Sequence, residues 1–244
     1  MKVFIYTSSR RAESQTEKTM YLIAEHISEK YLRLKRDPIQ TTIYKAGNHE
    51  ILRCSGCLNC FVNGNCPLDE KDEMKLIKRD LLQSDIIMLG SPVYAGQINA
   101  DMKCFIDRLS YWMHLIPLAG KRGIPLVAAD NSSTNESSLY LKRIMQNWGL
   151  FIPASLSFTY KQVSESKISL EQLVNQTAKA TIEDVLFNNE PFTHYHERLF
   201  QEIKTRYDNT EHIEERNSEA RYWADKNIES LETISDYLNL LNNV

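Results

Sequence analysis

No apolar run in this 244-residue chain approaches a membrane span: the longest, such as that around Ile86-Ile87-Met88-Leu89-Gly90, are a fraction of the roughly 20 residues a spanning helix needs. The amino terminus lacks the basic, apolar, small-residue order of a secretory signal, because Lys2-Val3-Phe4-Ile5-Tyr6 enters directly as a strand pattern. These absences predict a cytoplasmic, reducing setting away from membranes, where disulfides are a poor reading of the cysteines. Internal repeats and low-complexity segments are also missing. No Ser/His/Asp or paired-carboxylate arrangement stands out, so catalytic residues of the protein's own are not expected. His194 and His196 stand two apart and share no helix face, which argues against a metal site there. A basic excess is lacking as well, the formal net charge being −3. The balance is uneven: residues 181–244 carry 14 Asp/Glu against 6 Lys/Arg, and residues 1–180 carry 18 against 23. An acidic tail argues against nucleic acid, while a mildly basic body suits a small anionic ligand.

What the chain does have is a dense run of thiols. Cys54, Cys57, Cys60 and Cys66 fall within thirteen residues, spaced C-x₂-C-x₂-C-x₅-C and followed by Pro67. Cysteines used as small core hydrophobes scatter through a sequence, as Cys104 does beside Phe105. Soft ligands at this spacing, with a proline after the last, gather iron–sulfur clusters in ferredoxin-like loops.

Hydrophobic periodicity predicts strands over residues 2–6, 39–45, 86–90, 124–129 and 151–160. Helices are expected over 14–31, from Asp69 or Asp72 to about Leu82, and over 100–114, 137–148 and 168–187. Two more, over 193–207 and 214–242, are separated by Asp208-Asn209-Thr210. Strands alternating with helices mean an α/β chain with a five-stranded parallel sheet flanked by helices. Residues 1–190 form the expected main domain and 191–244 a helical C-terminal extension. Ligands of such sheets bind beyond the carboxyl ends of the strands, so the loops at 7–16, 91–99 and 130–135 are expected to meet in one pocket. The hydroxyl-rich first loop, ahead of a helix start, suits an anion, although Ser14 serves equally as a plain helix cap.

Residues 2–160 resemble the flavodoxin-like NAD(P)H-dependent FMN reductases, in particular the cysteine-containing branch that includes the iron–sulfur flavoproteins. The resemblance rests on Ser8-Ser9-Arg10 with Ser14-Gln15-Thr16, on the cysteine run ending in Cys66-Pro67 with Asp69 after it, and on Gly120-Lys121. Its strongest part is Asp85 to Gly96 continuing into Met102 to Leu109; Ala220-Arg221-Tyr222-Trp223 is similar to a Tyr-Trp element of the family's C-terminal extension. It implies that Ser8, Arg10, Ser14, Gln15 and Thr16 hold the FMN phosphate, and that Pro92, Val93, Tyr94, Ala95 and Gly96 lie along the flavin ring. Asn131 and Ser132 would meet the ring's far edge, in a loop that lacks the glycines usual for the family. Thr7 and Gln15 also replace the family's common glycine and asparagine. Asp107 and Arg108 are expected to form structural ion pairs.

The implied activity is FMN-dependent oxidoreduction: hydride taken from NADH or NADPH, with electrons passed to a quinone, a nitro or azo compound, free flavin or a protein. The alternative is a flavin electron carrier or redox sensor without small-substrate turnover; a metal-binding interaction module with an acidic docking tail is a third. Family members are commonly dimers or tetramers, and the aromatic tail is the expected interface. For the cysteine run three readings stand: Cys54, Cys57, Cys60 and Cys66 ligating a 4Fe–4S cluster, the same four holding zinc, or free thiols. The first three are crowded for zinc, which usually takes two well-separated C-x₂-C pairs.

Overall fold

The computed structural model describes residues 1–35, 37–167, 169–207 and 217–242. Its strands are β1 (Lys2–Thr7), β2 (Gln40–Lys45), β3 (Ile86–Tyr94), β4 (Gln97–Ile98), β5 (Arg122–Ala129) and β6 (Leu156–Thr159). The body helices are α1 (Gln15–Lys35), α2 (Asn59–Asn63), α3 (Met74–Gln83), α4 (Ala100–Asp107), α5 (Asn135–Asn147), α6 (Tyr160–Ser164) and α7 (Leu170–Phe187).

Successive side chains of a strand point to opposite faces. In β1, Val3 and Ile5 therefore join one core, with Phe4 and Tyr6 on the other; in β3, Ile86 and Met88 part from Ile87 and Leu89 in the same way. A strand buried on both faces needs helices on both sides. Helices α1 and α7 cover the Val3 face, and α3, α4 and α5 cover the Phe4 face. The parallel order is β2-β1-β3-β5-β6, with β4 paired antiparallel to the end of β3. This is the flavodoxin-like order, which reverses between β1 and β3.

Four boundaries depart from the sequence pattern. β3 does not end at Gly90: Ser91 and Pro92 stay in register with Val127 and Ala128, and Val93 and Tyr94 then form a hairpin with Gln97 and Ile98. Its two-residue turn has positive φ at both Ala95 (50°) and Gly96 (79°), the primed geometry that matches strand twist. β6 begins only at Leu156, and Phe151 makes an isolated bridge to Arg122. The helix expected over 100–114 ends at Asp107, where Arg108 turns inward, and a 3₁₀ turn follows over Ser110–His114. Of the long helix expected over 214–242, residues 214–216 lie outside the described residues and the described part is three pieces: α9 (Ser218–Asp225), a 3₁₀ turn over Ile228–Ser230, and α10 (Ile234–Asn242). Asn227, at φ 51°, takes the left-handed conformation that ends α9; asparagine tolerates it.

The extension starts with α8 (His194–Tyr207), and the separator at 208–210 lies outside the described residues. Phe200, Trp223 and Tyr237 form its core together with Ile116 and Ala119 of the body. Trp223 Nε1 donates to His114 O at 2.8 Å, and the Tyr222 and Tyr237 hydroxyls lie 2.7 Å apart. Trp223 and Tyr237 thus point inward, and do not supply the exposed aromatic surface expected of this tail.

Glu219 fastens the extension to the body. Its buried carboxylate meets His114 Nδ1 at 2.6 Å and accepts from the Tyr207 hydroxyl. Burial works against the charge, but these two partners outweigh it and hold the carboxyl below its ordinary range. The unfolded chain therefore binds this proton more readily, so the stabilisation is complete above the ordinary carboxylate range and is lost as pH falls through the lowered value. Glu219→Gln should cost about 1–3 kcal/mol at neutral pH and flatten the acid limb of the stability profile. Urea denaturation between neutral and acid pH measures both effects.

Candidate functional site

The carboxyl ends of β1 and β3 are tied by one buried side chain. Asn99 Nδ2 donates to Ser8 O at 2.7 Å, its backbone N–H donates to Ser91 Oγ at 3.2 Å, and its Oδ1 accepts from Met102 N at 3.1 Å, capping α4. Ser8 completes the junction: its N–H and hydroxyl both donate to Gly90 O, at 2.9 and 3.2 Å. The sequence reading did not single out Asn99. Its one visible signal was an asparagine immediately before a helix start.

Past this junction lies a cavity of about 260 Å³. The β1–α1 loop contributes Ser9, Arg11, Ser14, Gln15 and Thr16, and the end of β3 contributes Pro92, Val93 and Tyr94. Asp130, just after β5, and Tyr160, just after β6, close it. Six of the residues expected at a flavin site are therefore brought together: Ser14, Gln15, Thr16, Pro92, Val93 and Tyr94. Ser8 is fully buried behind them, and Arg10 turns away to pair with Asp101 through two contacts of 2.8 Å. Ala95 and Gly96 form the exposed hairpin turn, where Gly96 O accepts from Ser137 Oγ at 3.4 Å. Asn131 and Ser132 are exposed and stand outside the lining. Arg11, which the sequence reading passed over, lines the cavity instead of Arg10.

The donor set fits an anion. Ser9, Ser14 and Thr16 are buried hydroxyl residues, and the N–H groups of Gln15 and Thr16 open α1, where no carbonyl one turn earlier can take them. Ser14 Oγ caps the helix by accepting from Glu17 N at 3.2 Å, so the cap and the anion readings of Ser14 coexist. The helix dipole adds to the field. The carboxylate of Glu13 is drawn off by Lys18, which holds its pKa below the ordinary value. Burial pushes the Tyr160 hydroxyl up, so it keeps its proton.

A larger cavity, about 660 Å³, opens at the amino ends of the strands between Asp85, Lys121 and the tail residues Leu238 and Leu241. Lys121 is committed there to Ser84 O at 2.8 Å. This end of the sheet is opposite the switch point, so size does not make it the ligand site.

The thiol run forms a loop on a fixed stem. Buried Arg108 donates to Leu52 O at 2.9 Å and to Asp69 Oδ1 at 2.6 Å, and pairs with Asp72, so both ends of the loop meet one guanidinium. Asp72 also accepts from Leu52 N at 2.8 Å and Met74 N at 3.0 Å, and Asp107 pairs with Lys103. Arg108 and Asp107 are structural, as expected. Cys54 and Cys57 are exposed, while Cys60, Cys66 and Cys104 are half-buried. Hydrogen bonds from the Asn59 backbone and the Ser55 side chain lower the Cys57 pKa; burial and the neighbouring Cys66 raise that of Cys60. Among the described residues, no three His, Cys, Asp or Glu side chains converge as a metal-holding group.

Residues 1–165 match the family model described as NADPH-dependent FMN reductase. An iron-sulfur flavoprotein of Archaeoglobus fulgidus is 37% identical over 98 residues, 40% of this chain and 44% of its own. One of Clostridioides difficile is 27% identical over 135 residues, 54% of this chain and 59% of its own. The chain spans about half the length of the curated relatives it matches. Among solved structures, RosB with bound intermediate OHC-RP superposes with TM-score 0.61 at 13% identity, over 88% of this chain and 90% of that one. The apo form of an NADH:FMN oxidoreductase gives 0.56 at 16%, over 78% and 91%. These two likenesses carry the fold.

Asn99→Ala should cost about 1–3 kcal/mol, since it leaves Ser8 O and Met102 N without their partner. Asn99→Asp keeps the cap on Met102 N but sets a buried carboxylate oxygen against Ser8 O, so it should cost at least as much as the alanine variant. Denaturant midpoints of the two variants check the order.

Proposed function

Because the chain belongs to the NADPH-dependent FMN reductase family, we propose that the cavity beyond β1 and β3 holds FMN and that the protein is an NAD(P)H-dependent flavin oxidoreductase. The observation that carries this reading is the convergence of three loops, widely separated in sequence, on one cavity at the point where strand order reverses. When bound, FMN supplies the hydride-accepting and electron-transferring chemistry. The chain's own residues bind and orient. Ser9, Ser14, Thr16, Arg11 and the opening N–H groups of α1 take the phosphate, an arrangement of hydroxyls, guanidinium and helix terminus suited to a dianion. Ser8, through Gly90 and Asn99, sets the height of that loop without touching the ligand. Arg10 braces the same loop against Asp101. The enclosed 260 Å³ lies just below the roughly 300–1,000 Å³ usual for cofactor sites, so part of the FMN would extend over half-exposed Tyr94 at the rim. Pro92 stiffens that rim, and Ala95 and Gly96 carry its outer turn. Asn131 and Ser132 are exposed and outside the cavity lining, so in this reading they meet the ring's far edge only if the bound ring reaches beyond Asp130.

Electrons pass in this reading to a quinone, a nitro or azo compound, flavin or a protein acceptor, in a reducing cytoplasmic setting and from a homodimer or homotetramer. In this reading residues 191–244 are an extension of the 1–190 domain, and Phe200, Trp223 and Tyr237 of its described part pack with Ile116 and Ala119.

A second reading is favoured by the cysteine spacing and by the printed names of the curated relatives: Cys54, Cys57, Cys60 and Cys66 hold a 4Fe–4S cluster, and the protein works as an electron carrier. Iron and acid-labile sulfide analysis after anaerobic reconstitution tests it; four iron per chain, lost in Cys57→Ser, would support it.

For the main reading, anaerobic mixing of the FMN-loaded protein with NADH or NADPH should bleach the flavin absorbance. Thr16→Val should weaken FMN retention by about tenfold, the factor for one hydrogen bond to a charged group. Flavin that stays oxidised with both nucleotides would overturn the reductase reading and leave the carrier.

A further inference from the structure

Helix α2 carries Cys60 and is only five residues long, so its last carbonyls have no N–H partners of their own. One is met locally: Gly64, left-handed at φ 81°, donates its N–H to Cys60 O at 3.2 Å. The others are met from the far end of the chain. Ser218 Oγ lies 2.9 Å from Cys60 O and 2.8 Å from Phe61 O, sharing its one proton between them. Arg221 Nη2 donates to Val62 O at 2.8 Å, a cation where the helix dipole favours one. Both residues sit in the first turn of α9, which Asn217 caps by accepting from Glu219 N at 2.9 Å and Ala220 N at 3.3 Å.

Helix α9 is in turn fixed to the body. Glu219 meets His114, Trp223 Nε1 donates to His114 O, and the His114 ring stands 5.7 Å from that of Phe61. By contrast, the loop's own hydrogen bonds are inward-looking: Asn59 Nδ2 donates to Asn65 O and Oδ1 at 2.8 and 2.7 Å, and Asn63 Nδ2 to Asn59 Oδ1 at 2.6 Å. They keep the loop's shape and do not anchor it. The Arg108 stem holds only its two ends.

We propose that Ser218 and Arg221 are positioning residues of the thiol loop: α9 supplies the C-terminal cap of α2 and thereby fixes Cys60 against the body. The C-terminal extension then sets the position and accessibility of the loop's cysteines, whatever they hold. This goes beyond the flavin reading and does not depend on it, because the residues lie outside the FMN cavity.

The test uses the full reduced chain and reads thiols, not flavin. Iodoacetamide alkylation of each cysteine is timed by mass spectrometry in wild type, Ser218→Ala, Arg221→Ala and the conservative Arg221→Lys, with thermal melting as the fold control. Cys104, which lies against Ile51 O away from α9, is the internal reference. Each alanine variant should raise Cys60 alkylation about three- to tenfold while Cys104 is unchanged, and Arg221→Lys should restore most of the protection. A Cys60 rate within about twofold of wild type in Arg221→Ala, or a parallel rise at Cys104, overturns the proposal. Should Ser218→Ala fail to fold, Arg221→Ala alone decides.

Discussion

A single amide side chain governs how the functional end of this sheet is built. Asn99 reaches from the start of α4 to Ser8 O, and with Ser91 and Gly90 it locks the ends of β1 and β3 at one height. Buried backbone groups must be paired, and here the pairing is between loops that sequence places 91 residues apart. Loosening it would let the hydroxyl loop and the Pro92–Tyr94 rim move independently. The cavity exists because they cannot.

A second hub does the same for the thiol loop. Arg108 has no exposed side-chain surface and is paired to Asp69 and Asp72, so breaking either partnership would leave a charge in the interior. Burial alone would depress the guanidinium, yet the Asp72 and Asp69 hydrogen bonds hold its pKa above the ordinary arginine value. Its further bond to Leu52 O closes the loop's stem. Asn99 and Arg108 flank the same short helix, α4, which thus carries one anchor for the cavity beyond β1 and β3 and one for the cysteines. The extension then grips the loop between its stems, through α9.

The sheet was legible wherever both faces were covered. Ile86 to Leu89 and Ile124 to Ala129 are uninterrupted apolar runs, and no other element accommodates them so well. Pro92 and Gly96 read as loop punctuation, yet Pro92 sits in the strand and Gly96 in a tight hairpin turn, because pairing partners on β5 and β4 override local preference. Arg10 and Arg11 could not be told apart in sequence: the partner that draws Arg10 away is Asp101, 91 positions on. Asn99 was hidden for a similar reason, its worth lying in a distant carbonyl. The tail's breaks were unreadable because Asn227 in a left-handed turn leaves only a weak composition signal, and Trp223 looked like surface until its core was seen. The cysteine spacing stood out at once, while the helix that caps the loop from residue 218 did not.

The flavin reading rests on the phosphate foot, since that is where hydroxyls, helix terminus and Arg11 meet. Titrating the flavin-free protein with FMN and, separately, with riboflavin, following flavin fluorescence, probes it most directly, because the two ligands differ only by that phosphate. The account predicts FMN bound at least about tenfold more tightly, with inorganic phosphate competing. Equal affinities, or no binding of either flavin, would contradict it.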